Sequence, residues 1–220
     1  MLTRFDEIKG FFEELQSVMK TGANIYVIGG GVLLVRGMKG TTKDIDLVVD
    51  SKDEFEEINK ALRDMGFKAK KVDALYERFD LAYQLIRKEF QVDLFHQKVC
   101  SQFSLSKKMM SRSEKTLTLG KVSVFLCSNE DVFLFKTMTE RDGDAPDCVE
   151  LIKKGLDWDI ILAEMKFQIK HNDRDVWVTW IGERLDLLED RGLNIPIMKE
   201  INKLRENYFD ELEKRQARKK

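Results

Sequence analysis

The chain has 220 residues, enough for one compact domain or a small core with an appendage. Its 38 basic residues balance 39 acidic ones at a formal net charge of -1, which excludes a surface coated in basic charge for nucleic acid but leaves room for a local basic groove. Hydrophobic residues make up 43%, so a core can form, yet the longest apolar stretch, Ile25 to Val35, holds three glycines and is too short to span a bilayer.

Phe5, Ile8, Phe12, Leu15 and Met19 recur at helical spacing and predict an amphipathic helix over 3–20. Ile25 to Ile28 reads as a buried strand, Gly31 to Arg36 as a short helix, and Asp44 to Val49 as a second strand. Ser51 is placed to cap a helix carrying Phe55, Ile58, Leu62 and Met65 on one face, with Glu54 at the capping-box position. Gly66 closes that helix, and 67–72 is a candidate short strand. Residues 81–86 and 90–95 read as a strand pair turning at Arg87-Lys88-Glu89. Gly120-Lys121 is a Gly-X turn between two more short strands. From Ser128 onward the pattern is helical, over about 131–139, 144–154, 158–170, 175–190 and 196–219. The expected organisation is an α/β core over 1–127 and a helical region over 128–220 packed on it. The cysteines Cys100, Cys127 and Cys148 are too far apart for a zinc or disulfide framework and read as reduced thiols. The acidic, amphipathic N-terminus is unlike a signal peptide, so the cytoplasm is the expected location and no membrane partner is expected.

One local pattern carries chemistry. Gly29-Gly30-Gly31 follows an apolar run, and Asp44-Ile45-Asp46 stands fourteen residues after Gly30. In a strand, positions i and i+2 point to one face, so the carboxylates of Asp44 and Asp46 share a side while Ile45 and Leu47 point away. Two like charges so close call for a cation, and Mg²⁺ takes one or two carboxylates plus phosphate oxygens. Glycines let backbone N–H groups approach an anion. A third acid, Asp93, lies on a later strand, where it can complete the site and take a proton from an acceptor hydroxyl.

This set resembles the DNA polymerase beta-like nucleotidyltransferase superfamily, whose pattern is Gly-Gly or Gly-Ser, then about a dozen residues to Asp-x-Asp, then a distal Asp. The run Ser128-Asn129-Glu130-Asp131, Lys136, and Arg141-x-x-Asp144-x-x-Asp147 is similar to the second half of minimal nucleotidyltransferases of the AbiEii toxin family. The resemblance covers roughly 25–152. It implies a nucleotidyltransferase fold of the α/β (α+β) class, with a short mixed sheet flanked by helices and then a helical bundle. It implies transfer of a nucleoside monophosphate from an NTP to an acceptor hydroxyl, with release of pyrophosphate. Asp44, Asp46 and Asp93 would be catalytic and would hold two Mg²⁺ ions, while Gly29, Gly30 and Lys136 would bind the nucleotide. The acceptor class stays open among tRNA, protein and small molecules. Gly31, Gly40-Thr41, Asn129 and Gly143 depart from the family pattern and leave the choice of nucleotide open.

Blander readings stand beside these. Asp44, Asp46 and Asp93 could be solvated strand positions, and Lys136 a snorkelling surface lysine. Arg141, Asp144 and Asp147 could cap the next helix and pair with one another. Trp177, Trp180, Ile181, Leu185 and Leu188 form a helical stripe expected in a core. The alternative at the level of function is a non-catalytic nucleotide-binding or interaction module, such as one half of a toxin–antitoxin pair.

Overall fold

The computed structural model describes residues 2–70, 83–99, 103–139, 141 and 143–218. Cys100, Asp142 and the beginning of the strand expected over 81–86 lie outside them. The chain divides into two compact units, Met1–Val132 and Phe133–Lys220.

The first unit runs α1 (Phe5–Val18), β1 (Ala23–Ile28), α2 (Gly29–Val35), β2 (Asp44–Val49), α3 (Lys52–Asp64), β3 (Lys68–Ala69), β4 (Tyr83–Arg87), β5 (Phe90–His96), α4 (Lys107–Arg112), β6 (Glu114–Leu119) and β7 (Val122–Leu126). Among the described residues these strands form one seven-stranded mixed sheet in the order β3-β4-β5-β2-β1-β7-β6. β2 is central: it pairs in parallel with β5 on one side and antiparallel with β1 on the other. Ile45, Leu47 and Val49 on β2, Ile25 and Val27 on β1, and Val92 and Leu94 on β5 alternate along their strands and are fully buried. From α1, Phe12 and Leu15 are fully buried too, and from α3, Ile58 and Leu62.

Local chemistry sets the boundaries. The Glu7 carboxylate accepts the backbone N–H of Thr3 at 2.6 Å and of Arg4 at 3.0 Å, so α1 begins at Phe5 rather than Thr3. Ser51 caps α3 as expected, receiving the Glu54 N–H at 3.5 Å. Glu54 does not turn back to complete a capping box; its carboxylate accepts the Asn24 N–H of β1 at 2.9 Å and ties helix to sheet. The β4–β5 hairpin turns at Lys88, which holds φ of 57° without being glycine. The expected Gly-X turn is present, with Gly120 at φ of 53° between β6 and β7. Of the strand expected over 67–72, Lys68 and Ala69 form β3, and Lys71 and Val72 lie outside the described residues. Helix α4 was not expected; Ser106 caps it, receiving the Met109 N–H at 3.1 Å.

Helix α5 (Asn129–Thr137) leads into the second unit, which continues with α6 (Asp144–Lys154), α7 (Trp158–Asn172), α8 (Trp177–Glu189) and α9 (Met198–Ala217). Trp177, Ile181, Leu185 and Leu188 are buried, but Trp180 is 46% exposed, a correction to the expected stripe. The buried face turns from Trp177 toward Val178 and Gly182, and Trp180 lies beyond its opposite edge. Burial pushes the Cys127 and Cys148 thiols up to about 12, so both stay protonated. No helix among the described residues is long and apolar enough to cross a membrane.

Candidate active site

Strand register brings the expected carboxylates to one face. In the parallel β2–β5 pair, Asp46 lies directly opposite Asp93, and Asp44 opposite Gln91. Paired residues on neighbouring strands point the same way, so Asp44, Asp46, Gln91 and Asp93 occupy four adjacent positions on one face of the central sheet. Asp46 and Asp93 are 5% and 6% exposed, and Asp44 is half-buried. Buried carboxylates are rare unless they are compensated.

The glycine turn abuts this face. Gly29 directly follows β1, where Ile28 pairs with Asp46, and adopts φ of 64°, the left-handed region that side chains disfavour. A Cβ on Gly29 would lie 2.1 Å from the Asp46 carboxylate oxygen Oδ2. One on Gly30 would lie 2.6 Å from the Thr42 hydroxyl oxygen. Glycine at both positions therefore lets the chain run against the Asp46 carboxylate and Thr42. Thr42 is buried, and its hydroxyl donates to the Asp44 carbonyl at 3.0 Å and lies 3.4 Å from Asp44 Oδ1.

Asp93 is held by amides. Gln91 Nε2 donates to Asp93 Oδ1 at 2.8 Å, and Gln84 Nε2 donates to Oδ2 at 3.3 Å. Gln84 lies opposite Asp93 in the β4–β5 hairpin. Neither glutamine was expected as a site residue, although the alternation that placed Asp44 beside Asp46 also places Gln91 beside Asp93. Among the described residues no three His, Cys, Asp or Glu side chains are gathered into a ready metal cage. The donor set nonetheless fits a hard cation of the Mg²⁺ kind, which keeps waters and takes one or two carboxylates, with substrate phosphates supplying the rest.

The 128–131 run is built into the same unit. The Ser128 hydroxyl caps α5 by receiving the Asp131 N–H at 3.2 Å. The fully buried Asp131 carboxylate is gripped by the Arg112 guanidinium, with Arg112 Nε at 2.9 Å from Oδ2. Asn129 accepts from Arg36, at the end of α2, at 2.6 Å. Asn129 thus joins the glycine helix to the start of α5.

Lys136 differs from its expectation. Its ammonium is not free: it lies 2.7 Å from Asp147 Oδ2 and 3.2 Å from Asp144 Oδ1, and the side chain is 5% exposed. Burial works to lower the Lys136 value, but the two carboxylates outweigh it and hold it raised. Arg141 also reaches Asp144, at 3.3 Å, as the pairing reading expected, whereas Asp147 is paired with Lys136. An ammonium beside an apolar helix face was expected to reach outward; the first turn of α6 instead presents two acids to it.

A glycine turn against a central strand bearing two carboxylates, with a third directly across a parallel pair, defines a protein of the nucleotidyltransferase class. Residues 6–187 match the model of the family described as "Nucleotidyltransferase of unknown function (DUF6036)", and the chain belongs to that family. No curated protein sequence matches it. Among solved structures, the solution structure of the antibiotic-resistance factor ANT(2'')-Ia is similar to it at 9% identity and a TM-score of 0.51, covering 76% of this chain and 93% of that one. A crystal structure of ANT(2'')-Ia in complex with adenylyl-2''-tobramycin gives 10% identity and a TM-score of 0.49, over 75% of this chain and 99% of that one. At 9% identity the likeness to the solution structure speaks for the fold alone, a mixed α/β nucleotidyltransferase fold.

Proposed function

We propose that the chain transfers a nucleoside monophosphate from an NTP to an acceptor hydroxyl and releases pyrophosphate. The observation that carries this reading is the register of Asp46 opposite Asp93, with Asp44 on the same face and Gly29 against the Asp46 carboxylate. Catalysis of phosphoryl-type transfer is mostly positioning and charge stabilisation, and this face would supply both once it holds divalent metal. Asp44, Asp46 and Asp93 would hold divalent metal, taken as two Mg²⁺ ions. When bound, such ions polarise the phosphate oxygens and stabilise the charge on attacking and leaving oxygens. The Gly29-Gly30 backbone would receive the triphosphate. Asp93 would accept the proton of the acceptor hydroxyl as its oxygen attacks the α-phosphorus. The bond from that phosphorus to the β-phosphate oxygen then breaks, and pyrophosphate leaves with the electron pair.

Lys136 is assigned first to holding α5 against α6 through Asp144 and Asp147. A phosphate contact by Lys136 would need it to exchange one of those partners. The acceptor is proposed only as a hydroxyl compound. The test is incubation of the purified chain with each α-labelled NTP, Mg²⁺, and separate RNA, protein and metabolite fractions. Label transferred to one fraction in the wild type and lost in Asp46→Asn supports the reading. Equal label with both proteins, or with neither under all four NTPs, sinks it.

A further inference from the structure

Gln91 occupies the fourth corner of the carboxylate face, and nothing in the proposed chemistry uses it. It lies opposite Asp44 and two residues before Asp93, so it neighbours both acids. Its amide is bonded at both ends. Nε2 donates to Asp93 Oδ1 at 2.8 Å, and Oε1 accepts from Lys70 Nζ at 2.9 Å. The backbone of Lys70, which follows β3, donates to the Gln84 carbonyl at 2.8 Å, which places Lys70 beside the strand that carries the second amide.

The chemistry of these groups admits one arrangement. An ammonium only donates and an ionised carboxylate only accepts. A flipped Gln91 amide would point its NH₂ at Lys70 and its oxygen at Asp93, setting donor against donor and acceptor against acceptor. Lys70 therefore fixes which end of Gln91 faces Asp93. A carboxylate rotates in a broad well about its terminal torsion unless something holds it. Here Gln91 holds one oxygen and Gln84 the other.

We propose that Gln91, oriented by Lys70, is a positioning residue that fixes the plane of the Asp93 carboxylate for metal and acceptor. The inference rests on the proposed function, because it takes Asp93 as a working group of the site. Gln91 touches neither reacting atom; it acts through Asp93. Outer partners of this kind typically change metal affinity or activity by about 10–100-fold when removed.

The experiment measures Mn²⁺ binding to the full chain by calorimetry without nucleotide, for the wild type, Asp93→Asn, Gln91→Leu, Lys70→Met and Lys70→Arg. Steady-state kinetics are run on the same proteins. Gln91→Leu should raise the Mn²⁺ Kd by about 10–100-fold. It should lower kcat while leaving KM for the NTP near wild type, since Asp44, Asp46 and the glycine turn are untouched. Lys70→Met should act in the same direction but by less, and Lys70→Arg should restore the wild-type value. Lys70 is exposed, so its variants keep the test decisive even if Gln91→Leu folds poorly. If Asp93→Asn weakens Mn²⁺ binding but Gln91→Leu and Lys70→Met bind like wild type, the positioning role is overturned and the proposed function stands. If Asp93→Asn binds Mn²⁺ like wild type, the metal site itself is overturned, and this inference falls with it.

Discussion

Replacing Lys136 by alanine would leave two buried carboxylates, Asp144 and Asp147, without the ammonium that lies 3.2 and 2.7 Å from them. The three side chains are 4–8% exposed, so little water can take the place of the lost cation. Breaking a buried pair from one side costs about 3–5 kcal/mol. Arg141 stays near Asp144, but it is 59% exposed and replaces only part of the charge, which favours the lower half of that range. For a chain of this size the loss corresponds to a fall in Tm of roughly 6–16 °C. The pH dependence has a definite sign. Burial works to raise the Asp144 carboxyl, but Lys136, the Thr139 hydroxyl and Arg141 outweigh it and hold it below its ordinary 3.8. Stability from a depressed carboxyl is full above the unfolded value and is lost as pH falls through the folded one. The gap between wild type and Lys136→Ala should therefore be widest near neutral pH and narrow as pH drops below about 4. Thermal melts of both proteins from pH 7 to pH 3 measure this. A gap under about 2 °C at pH 7, or one that widens in acid, would refute the reasoning. The double variant Lys136→Met, Asp147→Leu should recover part of the loss, because it removes a buried charge along with its partner.

Gly29→Ala should abolish transfer and destabilise the protein. The left-handed backbone costs about 1–2 kcal/mol for a residue with a Cβ, and that Cβ would sit 2.1 Å from the Asp46 carboxylate. A melt and a turnover assay both near wild type would contradict this. Asp46→Asn should end transfer while holding or raising the ligand-free Tm, because it removes one of two neighbouring like charges from a buried face; a marked drop in Tm would show that Asp46 is structural. Arg112→Met should destabilise by about 3–5 kcal/mol, since it takes the guanidinium from the fully buried Asp131 carboxylate, to which the Ser128 hydroxyl also donates at 3.0 Å. Adding Asp131→Asn should return part of that loss, and chemical denaturation of the single and double variants would show whether it does.

Much of the site could be read from sequence because it depends on short-range rules. Alternation with period two put Asp44 and Asp46 on one side of a strand, and β2 has the bounds that its apolar residues predicted. Gly29 and Gly30 were expected as glycines so that backbone N–H groups could approach an anion; the structure adds a left-handed φ at Gly29 and a close approach of Thr42 to Gly30. Helix α6 begins and ends where its pattern placed it. What crosses between elements was not legible in this way. The pairing of Asp46 with Asp93 is a matter of strand register, set by which strands become neighbours across some forty residues of chain. Gln84 reached Asp93 only through the hairpin register, and Lys70 reached Gln91 from the residue just after the edge strand β3. Lys136 shows the same limit most plainly. Its local sequence suggested an ammonium turned outward, but α5 is buried along 131–137, and α6 supplies the two acids that make burial of the charge tolerable. Local propensity thus determined which residues are presented on each strand and helix. The long-range pairing of strands and helices decided which partner each charge met, because an ionised group is stabilised by what lies next to it in space rather than along the chain.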